Sequence, residues 1–205
     1  FSSSLYGFVI GSASQFFVSR YLGVENFAMF ANGYRELPIA GIVIGAVAGI
    51  LLPEFSRMTK GGSDSKQYLV LWKNVVLKSA AVIYPFALYC CIFAPEIMGV
   101  LYGTVYREAA DLFRIVTIIN LVRIVPYGPI MFALGKGKIF AKAHLVTALL
   151  LLGLDFLCVT FFPSLSAIAI IATTTTVFCL VVLMVSTARL LNTGLSRLMS
   201  WKSMF

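Results

Sequence analysis

Long apolar runs that carry almost no charge dominate this sequence and restrict the folds open to it. Several exceed roughly 18 residues, the length that an α-helix needs to cross about 30 Å of hydrocarbon. Over the whole chain, 60% of the residues are hydrophobic, 12% are charged and the mean hydropathy is +0.95, well outside the range of soluble globular domains. Because the runs are continuously apolar and do not alternate with period two, they favour helices over a barrel. We therefore expect an all-α integral membrane protein.

Proline, glycine and charged residues divide these runs into about six predicted transmembrane helices. The predicted spans cover residues about 1–19, 28–52, 75–94, 112–134, 140–162 and 165–188. The chain starts at Phe1, and its first apolar run has neither a basic flank before it nor a cleavage site after it, so it does not read as a signal peptide. We expect residues 1–205 to form a single helical bundle that is a fragment of a longer protein.

The basic residues are distributed unevenly among the connections. Arg20, Arg107 and Arg114 lie on one predicted side of the bundle, whereas eleven of the 16 basic residues follow spans two, four and six. These eleven are Arg57, Lys60, Lys66, Lys73, Lys78, Lys136, Lys138, Lys142, Arg189, Arg197 and Lys202. By the positive-inside rule, the even-numbered connections and both chain ends are predicted to be cytoplasmic. The same distribution assigns the net charge of +8 to membrane topology, and we expect no nucleic-acid partner.

Predicted span two carries polar residues and glycines. Asn32, Arg35 and Glu36 would share one face of a helix, directly before a kink predicted at Pro38. Charge inside a span usually faces a cavity or a partner, although Arg35 could also extend to the outer interface. Glycines at intervals of four would let another helix approach closely, and these are Gly41, Gly45 and Gly49.

Spans four and five supply the remaining candidate residues. Asn120, Arg123 and Tyr127 would cluster on one face of span four, and Arg123 lies near the middle of that span. Irregular backbone around Pro126 would be tolerated where it lines a cavity, so we predict that Arg123 faces a cavity and binds an anionic group. Asp155 in span five could relay a proton, bind a cation or serve as the structural partner of Arg123.

Motifs typical of enzymes are not found in the sequence. There is no nucleophile elbow, phosphate loop, HExxH pair or Cys/His cluster, and the four cysteines lack metal-ligand spacing. We accordingly expect no enzymatic activity, no metal and no cofactor. A membrane glycosyltransferase or ligase remains an alternative of another class, and so does a scaffold that does not transport.

Four segments together resemble a known family of transporters. They are residues 32–41 (NGYRELPIAG), 50–57 (ILLPEFSR), 101–106 (LYGTVY) and 133–138 (ALGKGK). The first two are similar to the eighth span of the lipid-linked polysaccharide flippases in the MATE-like (MOP) exporter superfamily. The order and spacing of all four resemble the C-terminal six-helix lobe of Wzx-like O-antigen flippases. MurJ-type lipid II flippases are also similar at span two, where Glu36 matches their acid before the proline.

This resemblance implies one lobe of a two-lobed transporter with a cationic central cavity in the bacterial cytoplasmic membrane. The implied substrate is an undecaprenyl-diphosphate-linked oligosaccharide used for cell-surface polysaccharide. Arg123 and Arg35 would bind the diphosphate, while Asn120, Tyr127 and Asn32 would contact the glycan. A proton or sodium ion at Glu36 or Asp155 would provide coupling. A MurJ-like lipid II flippase and a MATE-type exporter are the alternatives within the superfamily.

Overall fold

The protein is built from α-helices, as its composition predicts. A computed structural model describes residues 2–195 and 198, and throughout these residues the regular structure is helical. The helices are α1 (Ser2–Tyr21), α2 (Val24–Gly33), α3 (Pro38–Lys60), α4 (Ser65–Ile92), α5 (Ala94–Tyr102), α6 (Ala110–Thr117), α7 (Gly128–Ala133), α8 (Gly137–Phe161) and α9 (Leu165–Leu190), with 3₁₀ helices at Thr104–Ala109 and Ile118–Leu121. Three residues used in the sequence predictions lie outside the described residues. They are Phe1, the predicted start of the bundle, and Arg197 and Lys202, which were counted in the prediction of orientation.

Four helices have the length and the apolar composition of transmembrane segments. Among the described residues these are α3, α4, α8 and α9, which contain 23 to 28 residues each. Large apolar side chains on their surfaces, such as Ile42, Leu149 and Phe178, are half or more exposed. Such surface is unfavourable in water but matches the hydrocarbon of a bilayer. The chain is therefore an all-α, multi-pass membrane protein, with four candidate spans where the sequence predicted about six.

Predicted span one forms a helix that is less apolar than the four candidate spans. Residues 2–21 do form the helix α1, but serines and Gln15 interrupt its apolar surface, and it is not among the helices apolar enough to cross a bilayer. Part of this helix faces a cavity and not lipid, as described below. A span that borders a polar cavity does not need to be apolar all round.

The prediction of one kinked helix over residues 28–52 is wrong. The structure has two helices there, α2 and α3, joined by a non-helical linker, Tyr34–Leu37. Pro38 occupies the first turn of α3, where its missing N–H costs no helical hydrogen bond. Leu37 before it is extended, with φ −60° and ψ 119°, because a proline disfavours helical geometry in the preceding residue. Arg35 and Glu36 consequently share no helical face with Asn32.

Predicted span four, residues 112–134, is likewise interrupted. Helix α6 passes into the 3₁₀ helix Ile118–Leu121, residues 122–127 are non-helical, and the short helix α7 follows. Pro126 and Pro129 cannot donate backbone hydrogen bonds, so a continuous α-helix through this segment would be strained. The predicted common face of Asn120, Arg123 and Tyr127 is therefore not formed as a helix face.

Helix packing forms a buried core to which both interruptions contribute side chains. Helix α1 packs along α8 and α8 along α9, while α3 packs on α7 and α6 packs on α9. Large buried side chains fill the interior, including Phe30, Phe55, Trp72 and Ile83, each with no exposed surface. The linker before α3 and the irregular segment before α7 are thereby held on the same side of this core.

The glycines of α3 do not mediate the close approach that the sequence predicts. They lie on an exposed face, and a Cβ added at any of them would meet no other atom within 4 Å: Gly41, Gly45 and Gly49. Helix α3 instead buries the face that carries Leu51 and Phe55. A close approach occurs at Gly33, where an added Cβ would lie 2.8 Å from Cβ of Ala109.

Candidate functional site

An ion pair joins the two irregular segments of the chain. Nη1 of Arg123 contacts Oε2 of Glu36, and the two side chains are 31% and 48% exposed. Arg123 follows the 3₁₀ helix, and its backbone N–H donates to the carbonyl of Ile119 at 2.9 Å. Glu36 lies in the linker, where the Arg35 N–H donates to the carbonyl of Gly33 at 2.9 Å. The sequence offered Asp155 as the structural partner of Arg123, and the structure places Glu36 there instead.

A cavity of about 540 Å³ opens beside this ion pair. Arg123 and Glu36 both line it, together with residues from α1, the end of α2, α3, α8 and α9 and the segment 119–129. Helix α1 contributes the polar side chains Ser14 and Gln15, and α8 contributes His144. The cavity is therefore a partly polar site enclosed by helices of a membrane protein, the setting in which intramembrane charges are usually found.

Two tyrosines give the cavity hydroxyl groups and aromatic surface. The Tyr34 hydroxyl lies 3.1 Å from Oγ1 of Thr173 on α9, and the Tyr34 ring stacks on Phe30 with centroids 5.0 Å apart. Tyr127 packs against Trp72 with ring centroids 5.6 Å apart. Hydroxyl and ring groups of this kind suit the polar edges and apolar faces of sugars.

A buried carboxyl group lies directly behind the wall of the cavity. Asp155 on α8 is fully buried, and the Ser14 hydroxyl on α1 donates to its Oδ2 at 2.7 Å. Its other oxygen, Oδ1, has no hydrogen-bond partner among the described residues. Ser14 itself lines the cavity, so it connects the cavity to the carboxyl group. A carboxyl group with one unpartnered oxygen can accept a proton or coordinate a cation.

Besides Asp155, three of the predicted site residues do not line this cavity. The Asn32 amide donates to the carbonyl of Ala28 at 3.0 Å, and the Asn120 amide donates to the carbonyl of Thr117 at 3.1 Å. Arg35 is exposed and does not line the cavity. The structure thus brings Arg123, Glu36 and Tyr127 together around one space, with Asp155 immediately behind it.

Several residues of the cavity were not predicted from the sequence. On α1, one helix face carries small or polar residues at helical intervals: Gly7, Gly11 and Ser14. This pattern is the sequence feature from which the cavity-lining face of α1 could have been predicted. Tyr34 lies between two residues that were considered, but its contact with Thr173 joins positions 139 residues apart. A contact of that kind has no local signature in the sequence.

Metal ligands do not gather in the described part of the chain. No group of three or more His, Cys, Asp or Glu side chains is placed there to hold a metal ion. The cysteines Cys90, Cys91, Cys158 and Cys179 are all unpaired. Cys179 lines the cavity, so its polar groups include a thiol beside the ion pair, hydroxyl, amide and imidazole groups.

Comparison with known families gives a match over the first part of the chain. A family model described as "Polysaccharide biosynthesis protein" matches residues 1–111, more than half of the chain. The chain belongs to this polysaccharide biosynthesis family. No curated protein and no solved structure matches it.

The region that matches the family model includes only part of the cavity. It runs from α1 to the start of α6 and contains Ser14, Tyr34 and Glu36, whereas Arg123 and Asp155 lie beyond it. The Arg123–Glu36 ion pair thus joins the family region to the rest of the chain. The predicted resemblance to polysaccharide flippases agrees with this family at the level of polysaccharide biosynthesis.

Proposed function

We propose that this chain is part of a flippase that moves an undecaprenyl-diphosphate-linked oligosaccharide across the bacterial cytoplasmic membrane, without enzymatic chemistry. The observation that carries the proposal is the cavity of about 540 Å³ with the Arg123–Glu36 ion pair at its wall. Membership of a polysaccharide biosynthesis family supports a glycan as the cargo. A cavity inside a multi-pass membrane bundle supports transport.

Arg123 is the group that we expect to bind the diphosphate. Its planar guanidinium can donate two parallel hydrogen bonds to phosphate oxygens, which a lysine ammonium cannot reproduce. The partial exposure of the Arg123–Glu36 pair means that an anion entering from the cavity can reach the guanidinium. Because the pair is partly exposed and not sealed in the core, a phosphate can replace the Glu36 carboxylate at the guanidinium without a buried charge being left unpaired.

Glu36 gives the same site a means of coupling. While its carboxylate occupies Arg123, it competes with the diphosphate for the same donors. A proton taken up by Glu36 would remove the competing charge and release Arg123 for the substrate. The coupling ion can thereby change the affinity of the cavity for the headgroup through a single contact.

Asp155 is the second coupling candidate. Its unpartnered Oδ1 could take up a cation or a proton. Such uptake would change the charge beside Ser14, which is hydrogen-bonded to Asp155 and lines the cavity. Asp155→Asn keeps the shape of the side chain but cannot exchange a proton, so we expect translocation that no longer depends on an imposed proton or sodium gradient. Unchanged gradient dependence in Asp155→Asn, at normal insertion, would exclude this role.

The proposal is tested by glycan-lipid translocation in proteoliposomes. Arg123→Ala should reduce the rate at least about tenfold, the loss expected from one charge-assisted contact, and Arg123→Lys should retain part of the activity. Arg20→Ala is the matched control, because Arg20 is exposed at the end of α1 and does not line the cavity. Full activity of Arg123→Ala at normal expression would refute the proposal. Export of a cationic drug without glycan-lipid movement would instead favour a MATE-type exporter.

A further inference from the structure

A second concave surface lies between the end of α3 and the start of α4. This surface, the α3–α4 groove, has a volume of about 530 Å³ and shares no lining residue with the cavity. Its polar residues include Arg57, Lys66 and Asn74, and its apolar residues include Met58 and Val70. The groove therefore combines a basic region with an apolar surface.

Basic residues outnumber acids at this hairpin. The acids are Glu54, which forms an ion pair with Arg57 at 2.6 Å, and the exposed Asp64. The basic residues of the same segment are Arg57, Lys60, Lys66 and Lys73, which gives a net charge of about +2 by simple count of ionised side chains. The Arg57 side chain is 79% exposed and Lys66 is exposed in the first turn of α4, so both can reach an anionic ligand.

The position of the groove relative to the bilayer follows from helix length. Helix α4 has 28 residues, which corresponds to about 42 Å at 1.5 Å per residue and exceeds a hydrocarbon layer of about 30 Å. Since α3 and α4 are both candidate spans, the hairpin that joins them lies at one face of the membrane. Lys66 then lies at the level of the lipid headgroups, and Val70, one turn further along α4, lies closer to the acyl chains.

We propose that the α3–α4 groove binds the headgroup of an anionic phospholipid. Lys66 and Arg57 would contact the phosphate, and Val70 and Leu71 would contact the glycerol region and the upper part of an acyl chain. Basic pockets between transmembrane helices bind anionic headgroups for this reason. A free phosphate ion would leave the apolar part of the groove unused, so a lipid is the occupant that fits both parts. This inference does not depend on the proposed transport activity.

Lipid selectivity in reconstituted membranes tests the inference. The full protein is placed in phosphatidylcholine bilayers that contain spin-labelled phosphatidylglycerol or phosphatidylcholine, and the motionally restricted fraction of each is measured. The double variant Arg57→Gln/Lys66→Gln should lose at least about fivefold in preference for phosphatidylglycerol, the effect of one basic residue at a charged surface, because Arg57 already pairs with Glu54. Association with phosphatidylcholine should not change.

The matched control is Lys136→Gln/Lys138→Gln, which removes the same charge from exposed positions between α7 and the first turn of α8. An equal loss in the control would attribute the selectivity to overall charge and overturn the groove as a site. Displacement of phosphatidylglycerol by millimolar inorganic phosphate would overturn the lipid as the occupant. A second experiment uses the unaltered protein and does not depend on the folding of the double variant. A photoactivatable phosphatidylglycerol should label residues 54–74, and labelling confined to other segments would contradict the assignment.

Discussion

Gly33 provides a quantitative test of the packing that holds the linker and Glu36 in place. A Cβ at this position would lie 2.8 Å from Cβ of Ala109, 3.0 Å from the Ala109 carbonyl oxygen and 3.1 Å from Cβ of Leu112. Two of these contacts involve Cβ atoms and one involves backbone, so no flexible side chain can move aside. Gly33→Ala must therefore displace α2 or the segment around Ala109.

The expected cost is about 1–3 kcal/mol, the range for overpacking a close-packed interior. Gly153→Ala on α8 is the control, because the position is exposed and an added Cβ would meet no other atom within 4 Å. We expect thermal unfolding of the purified protein in detergent to show a lower Tm for Gly33→Ala. For Gly153→Ala we expect an unchanged or higher Tm, because alanine favours a helix interior by up to about 1 kcal/mol over glycine. Equal Tm values for both variants would refute the packing at Gly33.

Two further predictions concern the buried carboxyl group and the topology. In double-mutant cycles of unfolding, Ser14→Ala and Asp155→Leu should couple by at least about 0.5 kcal/mol, because each removes one partner of the same hydrogen bond. Arg123→Leu and Asp155→Leu, whose side chains have separate partners, should be additive, and the reverse pattern would contradict the assigned partners. In a cysteine-free background, the positive-inside rule predicts that Ser63→Cys is labelled only from the cytoplasm and Thr104→Cys only from outside, and labelling of Ser63→Cys in intact cells would disprove this orientation.

The all-α membrane fold was predictable because apolar composition alone determines it. The predicted spans 140–162 and 165–188 agree with α8 and α9 to within three residues at each end. These segments are long and apolar, and no proline lies within either helix. Where helices are set by continuous hydrophobicity and bounded by clear breakers, the sequence contains the necessary information.

The interrupted segments were harder to predict because proline has two opposite meanings in a helix. Pro53 and Pro85 lie inside α3 and α4, which continue past them, whereas Pro38 begins a helix. Which outcome occurs depends on tertiary contacts that can hold a linker or a bend in place, and these involve residues distant in sequence. Hydropathy therefore placed the apolar segments correctly but joined α2 to α3.

Three predicted site residues line the cavity, but the partner of Arg123 was not predicted. The depth of Arg123 in an apolar segment identified it as a cavity residue, and Glu36 and Tyr127 also line the cavity. The sequence left Asp155 as a potential partner of Arg123, because both were read as mid-span charges. The non-helical linker brings Glu36 to segment 119–129, and Glu36 therefore pairs with Arg123 where Asp155 does not. The geometry of such a linker produces no periodic pattern in the sequence.

The most direct test of the account is equilibrium binding of undecaprenyl diphosphate to the purified protein and to its Arg123→Ala and Glu36→Gln variants. The two partners of the ion pair should have opposite effects. Arg123→Ala should weaken binding at least about tenfold. Glu36→Gln should bind as tightly as the unaltered protein or more tightly, because the competing carboxylate is gone. Equal affinity for Arg123→Ala and the unaltered protein would contradict the claim that this cavity recognises an anionic lipid-linked headgroup.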